Sequence, residues 1–341
     1  MDVFDHYAPF IQDYIYEHGW QTLRPIQVAA AEEIFTTDHN VLLSASTASG
    51  KTEAAFFPIL SKIAQQPADS IQVLYIAPLK ALINDQYDRL TDLCQDTNIK
   101  VWRWHGDVAQ SQKRKMLKKP SGILQITPES LESFMINKHM DIPHLFHGLQ
   151  FIVIDELHSF LRSDRGGQTF CLIERLSKLA GVNPRRIGLS ATIGNLKAAA
   201  EFLGSGSQHQ TVAPKVQNQE QVWRLSMEHF YQTNPQAGDK DFDPSEVGAP
   251  KTDQAPALAD PGIGYIFEHT RGKKCLVFTN SREECEAVCQ QLREYCQYNY
   301  EPDRFLIHHG NLSPALRETA EQAMKDEDSY MTTCATATLE L

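Results

Sequence analysis

Between residues 40 and 190 the chain repeats one pattern, a short apolar run followed by a stretch of helical length. The runs are Asn40–Ala45, Ile71–Ala77, Val101–Trp104, Gly122–Ile126, Phe151–Asp155 and Arg186–Ser190. Residues 8–18 and 25–36 read as helices ahead of them, and Lys51 opens another. Strands that alternate with helices imply βαβ units and a mostly parallel sheet, an α/β fold. Ligands of such sheets collect at the carboxyl ends of the strands, where Ala45, Ala77, Asp155 and Ser190 stand. A length of 341 residues suits two domains at roughly 150 residues each. The pattern breaks near residue 204, where Gly204-Ser-Gly-Ser reads as a linker. Val222–Tyr231 alternates like a strand, and residues 233–262 collect Pro, Gly, Asp and Ala without periodicity, as a flexible insertion does. A second α/β unit then predicts strands at Lys274–Thr279, Arg304–His308 and Tyr330–Cys334, with helices over 281–296 and 313–326 between them.

Composition excludes several classes. Seven cysteines without paired spacing do not make a secreted disulfide framework. The start, Met1-Asp-Val-Phe-Asp-His6, has no basic and apolar signal regions, and no run approaches the ~18 apolar residues of a membrane span. A cytoplasmic protein without a membrane partner is expected. The net charge of −11 does not announce a nucleic-acid binder, but phosphate contacts depend on local patches and not on the sum.

The segment Ala45-Ser-Thr-Ala-Ser-Gly-Lys51-Thr52 follows the first strand and opens a helix. A phosphate loop needs inward-facing backbone N–H groups at a helix N-terminus, here from Thr47, Ala48, Ser49 and Gly50. Gly50 lets the backbone approach closely, Lys51 supplies charge to the β and γ phosphates, and the Thr52 hydroxyl suits a magnesium ion. Ala45 replaces the usual first glycine. Asp155 ends a run of Phe, Ile, Val and Ile, where a carboxylate serves packing poorly; it can reach magnesium held at Thr52. Glu156 beside it can polarise an attacking water. Phosphoryl transfer asks for such positioning and charge neutralisation. ATP and Mg2+ are the expected cofactors.

Other features have plainer readings. The basic run Lys113–Lys119 lies on an amphipathic helix and reads as a solvated face. Cys285, Cys289 and Cys296 share a helix face and read as packing against a sheet, since a zinc site needs a fourth ligand. Trp102 and Trp104 read as core, although Trp and Arg together could stack on bases.

From residue 19 onward the chain resembles superfamily-2 helicases of the DExH type, with the family's motifs in order. Gly19–Gln27 resembles the adenine-reading Q motif, in which the Gln27 amide pairs with the base. Pro78-Leu-Lys80-Ala-Leu resembles motif Ia, Thr127-Pro128-Glu-Ser motif Ib and Asp155-Glu-Leu-His158 motif II. Ser190-Ala-Thr192 resembles motif III, which with His158 couples nucleotide state to strand binding. Asn280 and Arg282 fall in a motif IV-like segment, His309-Gly310 in the next, and Thr336 in the start of motif V. The context looks most like the large-helicase-related (Lhr-like) branch, with the Ski-type branch close.

The resemblance implies two tandem RecA-like P-loop domains, the second incomplete. Residues 1–18 are a helical lead-in, 19–208 the ATP-binding domain, 209–262 a linker strand and insertion, and 263–341 the partial second domain. It also implies an ATP-dependent helicase or translocase moving 3′ to 5′ on single-stranded or partly duplex DNA or RNA. Pro78, Lys80, Thr127, Pro128, Asn280, Arg282, His309, Gly310 and Thr336 would contact the strand. Motif VI and its arginines do not occur before Leu341, so slow hydrolysis by this chain is expected, an arginine finger being worth about 10³–10⁵ in rate. A non-unwinding clamp and the motor subunit of a restriction or defence complex are the alternatives.

Overall fold

The computed structural model describes residues 3–45, 50–191, 193–214, 224–230, 260–326 and 328–336. The chain divides into two units, Met1–Gln221 and Val222–Leu341.

The first unit contains α1 (Pro9–Glu17), α2 (Pro25–Thr36), β1 (Asn40–Ser44), α3 (Lys51–Gln65), β2 (Ile71–Ile76), α4 (Lys80–Leu93), β3 (Val101–Trp104) and α5 (Gln110–Lys118). It continues with β4 (Gly122–Ile126), α6 (Pro128–Asn137), α7 (Ile142–Phe146), β5 (Phe151–Ile154), α8 (Asp164–Ala180), β6 (Arg185–Ser190), α9 (Leu196–Leu203) and β7 (Thr211–Val212). The strands form one seven-stranded sheet in the order β3-β4-β2-β5-β6-β1-β7. Every pairing in it is parallel. Both faces are covered, so successive side chains of a strand enter different cores and the strands read as continuous apolar runs. Val41, Leu43, Val73, Tyr75 and Val153 join the core built with α1 to α4. Leu42, Leu74, Ile76, Ile152 and Ile154 join the core built with α6 to α9.

The second unit holds α10 (Pro261–His269), β8 (Cys275–Thr279), α11 (Arg282–Tyr298), β9 (Phe305–His308), α12 (Pro314–Lys325) and β10 (Thr332–Thr336). Its parallel sheet runs β8-β10-β9. Cys285, Cys289 and Cys296 of α11 pack with Phe305 and Cys334 as core, and all seven cysteines are free thiols. The two units together are the α/β, RecA-like architecture expected from the sequence.

Some details differ. Within the alternating segment Val222–Tyr231, the described residues 224–230 form no strand, with Leu225 and Met227 on the surface. Alternation makes a strand only where a neighbour completes the ladder, and no described strand pairs with this segment. Thr211 and Val212, assigned to the linker, extend the first sheet beside β1. Pro261 and Gly262, assigned to the insertion, begin α10 under an Asp260 cap that accepts from the Gly262 N–H at 2.8 Å. Among the described residues no helix is long and apolar enough to cross a membrane.

Candidate functional site

Sheet register brings the candidate residues to one edge. Ser44 stands beside Ser190, and the ladder continues one step as the Ala45 N–H donates to the Ser190 carbonyl at 3.2 Å. Asp155 is fixed the same way by the Ile76 carbonyl at 2.9 Å, and Ala77 by the Ile126 carbonyl at 3.2 Å. The ends of β1, β2, β4, β5 and β6 therefore lie along one rim, set by backbone hydrogen bonds and not by loops.

On that rim the Lys51 ammonium donates to the Ala45 carbonyl at 2.7 Å. Asp155 is buried; the Tyr75 hydroxyl donates to its Oδ2, and the Glu156 N–H donates to its Oδ1 at 2.8 Å. Glu156 holds a left-handed backbone at φ 47°, a conformation uncommon for a residue with a side chain. Burial lowers the pKa of Lys51, although Glu156 and Asp155 attract its charge. Burial raises Asp155, against the pull of Tyr75, the Glu156 N–H and Lys51. It raises Glu156 too, helped by the charge of Asp155. In an isolated ion pair the acid would go down and the base up. Here loss of water outweighs mutual attraction on all three groups.

The Thr52 hydroxyl accepts from Gln86 Nε2 at 3.1 Å. Among the described residues no cluster of three or more His, Cys, Asp and Glu could hold a metal alone. Thr52 and Asp155 are hard oxygen donors that fit a magnesium ion taking its other ligands from phosphate and water, the usual way this ion is bound. Gly50 caps α3 at φ 78°; a Cβ there would lie 2.8 Å from Gln27 Nε2. Gln27 is 1 % exposed, its Oε1 accepts from the Arg24 N–H at 2.8 Å as a helix cap, and its Nε2 has no partner. Its oxygen is thus engaged at the cap, while its N–H donor is buried without a partner. His158 Nδ1 lies 3.3 Å from Ser190 Oγ and 3.2 Å from Glu156 Oε2, a bridge between the ends of β5 and β6. Thr47, Ala48, Ser49 and Thr192 lie outside the described residues.

The strand-contact candidates are less uniform. Lys80 pairs with Asp107 at 3.1 Å. Thr127 is buried and caps α6, accepting from the Ser130 N–H at 3.4 Å, and Pro128 is buried in the first turn. The Pro78 carbonyl accepts from Arg165, which also grips Glu129 through Nε at 2.6 Å and Nη2 at 3.0 Å. Arg165 thereby ties the segments after β2 and β4 together. In the second unit, the Asn280 N–H donates to Glu284 at 2.9 Å, and a Cβ on Gly310 would lie 3.9 Å from Arg282 Nη2. His309 is buried with Nε2 3.1 Å from Glu286, and Thr336 ends β10. Tyr75, Gln86 and Arg165 escaped the sequence reading because each acts through a contact more than 30 residues away, with no local motif to mark it.

Known proteins match this arrangement. The ATP-dependent helicase Lhr-Core of Methanothermobacter thermautotrophicus is 30 % identical over 305 residues, covering 84 % of this chain and 33 % of the relative. That of Methanocaldococcus jannaschii is 30 % identical over 329 residues, covering 91 % and 36 %. The chain spans about a third of the length of these curated relatives. The solved structure of Mycobacterium smegmatis helicase Lhr bound to ssDNA and AMP-PNP superposes with a TM-score of 0.77 at 25 % identity, over 100 % of this chain and 43 % of that one. The family model described as DEAD/DEAH box helicase matches residues 24–199, just over half of the chain and the whole span from the Gln27 cap past the Ser190 strand end, and the chain belongs to that family.

Proposed function

We propose that this chain is the ATP-binding engine of an Lhr-like helicase or translocase that moves along single-stranded DNA. The observation that carries the proposal is the desolvated trio on one rim, Lys51 against the Ala45 carbonyl and Asp155 beside Glu156. An ammonium and two carboxylates drawn out of water on one rim fit a polyanion and a cation arriving together. Lys51 would leave the Ala45 carbonyl for the β and γ phosphates, with the N–H groups of residues 47–50 around them. Thr52 and Asp155 would hold magnesium, which supplies charge neutralisation at the phosphates. Glu156 would orient the attacking water, and Gln27 would meet the adenine through its free N–H. His158 would pass the state of Glu156 to Ser190 and Thr192.

DNA as partner is supported by the ssDNA bound to the M. smegmatis helicase. In this reading residues 19–208 carry the nucleotide and residues 263–341 the second half of the engine, joined through 209–262. Pro78, Lys80, Thr127, Pro128, Asn280, Arg282, His309, Gly310 and Thr336 would line the strand, with movement 3′ to 5′ as the resemblance implies. The test is titration of the chain with a fluorescent ATP analogue, with and without Mg2+, and single-stranded-DNA-stimulated hydrolysis. Lys51→Ala should weaken binding or turnover by about 10²–10³. Magnesium-independent binding, or binding and turnover unchanged in Lys51→Ala, overturns the reading. Stimulated hydrolysis without strand separation assigns a translocase.

A further inference from the structure

The solvated face of α5 has no part in the nucleotide site. Lys113, Arg114, Lys115, Lys118 and Lys119 place five cations within seven residues, and no Asp or Glu lies between Asp107 and Glu129. Those two flanking carboxylates are taken, Asp107 by Lys80 and Glu129 by Arg165. Among the described residues none of the five cations has an ion-pair partner, whereas Arg89, Arg165, Arg186 and Lys80 of the same unit all have one. Arg114 and Lys118, and Lys115 and Lys119, are like charges four residues apart, a spacing at which they repel. The helix dipole favours Lys115 and Lys118 in the last turn but not Lys113 and Arg114.

Beside this face, along the edge strand β3, runs a groove of about 200 Å³ lined by Tyr87, Trp102, Arg103, Gln112, Lys115 and Met116. Trp102 is half-buried. Arg103 stacks over the Tyr87 ring at 4.4 Å and donates to Asn84 through Nη1 at 3.0 Å, but its Nε is buried without a partner. Cations beside a partly open aromatic and an unused N–H donor are the chemistry that tracks a single strand, phosphates on the charges and bases on the rings. The loop that opens α5 is the one whose Asp107 holds Lys80.

We infer that the outer face of α5 and the groove beside β3 form a second contact for single-stranded DNA, continuing the path that Lys80 begins. The inference rests on the DNA-tracking reading and adds a surface to it. The test is fluorescence-anisotropy titration of the chain with oligothymidines of roughly 8 and roughly 25 nucleotides across a salt series, lengths that bracket common single-strand site sizes. The variant Arg114→Gln/Lys115→Gln/Lys118→Gln should bind the longer strand more weakly. Its plot of log K against log salt should flatten by about 2, at ~0.7 per lost phosphate contact. The charge-keeping variant Lys115→Arg/Lys118→Arg should keep the slope, and urea midpoints check the fold of both. An unchanged slope on a strand that still binds overturns the inference and spares the DNA reading. So does an effect confined to an acidic peptide or to duplex DNA. No DNA binding by the wild-type chain at any length overturns both.

Discussion

At Lys51, Asp155 and Glu156, withdrawal from water opposes the charge on each group, so the fold carries an electrostatic penalty at this rim. Glu156 offers the simplest measurement of it. Its carboxyl is raised, by burial first and by Asp155 second, above the ordinary Glu value of 4.5. An acid raised in the folded state binds extra protons there, so stability falls as pH rises through the window above 4.5 and stays lower beyond it. Glu156→Gln lacks that penalty. In urea titrations without nucleotide it should match the wild type near pH 4 and exceed it at pH 7, by on the order of 1 kcal/mol or less given partial exposure. The same variant should lose turnover. A Gln variant no more stable at pH 7 than at pH 4, relative to wild type, would remove the case for a strained resting site.

Among the elements, Arg165 of α8 joins two others, binding both oxygens of Glu129 at the start of α6 and the Pro78 carbonyl before α4. A two-pronged Arg–carboxylate grip fixes geometry as well as energy. Arg165→Ala should cost about 1 kcal/mol or less in stability, because the pair is exposed to solvent, Arg165 to 36 % and Glu129 to 64 %. It should raise the DNA concentration needed for half-maximal ATPase stimulation several-fold while leaving ATP-analogue affinity near wild type. An equal loss of both would assign Arg165 to general folding. This clamp also marks what sequence conveys at this scale. The strands β1 to β6 are legible to within a residue or so, and β1, β2, β4 and β5 are so because burial on both faces writes them as largely apolar runs. The last strand is less so: the apparent run Tyr330–Cys334 becomes Thr332–Thr336. Its threonines are buried by position, between β8 and β9, and not by hydrophobicity. Motifs mark where Lys51 and Asp155 stand, but not the Tyr75 hydroxyl, the Gln86 amide or the Arg165 grip, which exist only once distant segments pack.

The whole chain has two units with separate cores, the first built on both faces of a seven-stranded sheet and the second on three strands. Calorimetry should resolve two transitions, because the smaller core buries less apolar surface for its length. Mg–ATP should move only the upper one, by mass action on the state that binds it, and Lys51→Ala should abolish that shift. A single transition would mean that the cores melt together. The carboxylate-free helix α5 has a last consequence, one of time and not of affinity. A body of net charge −11 repels a polyanion from most approaches, while one cationic helix attracts it. Under the inference drawn for α5, collisions in wrong orientations would be discarded early, and a strand would meet the α5 face first. Such steering should show as an association rate that falls steeply with added salt.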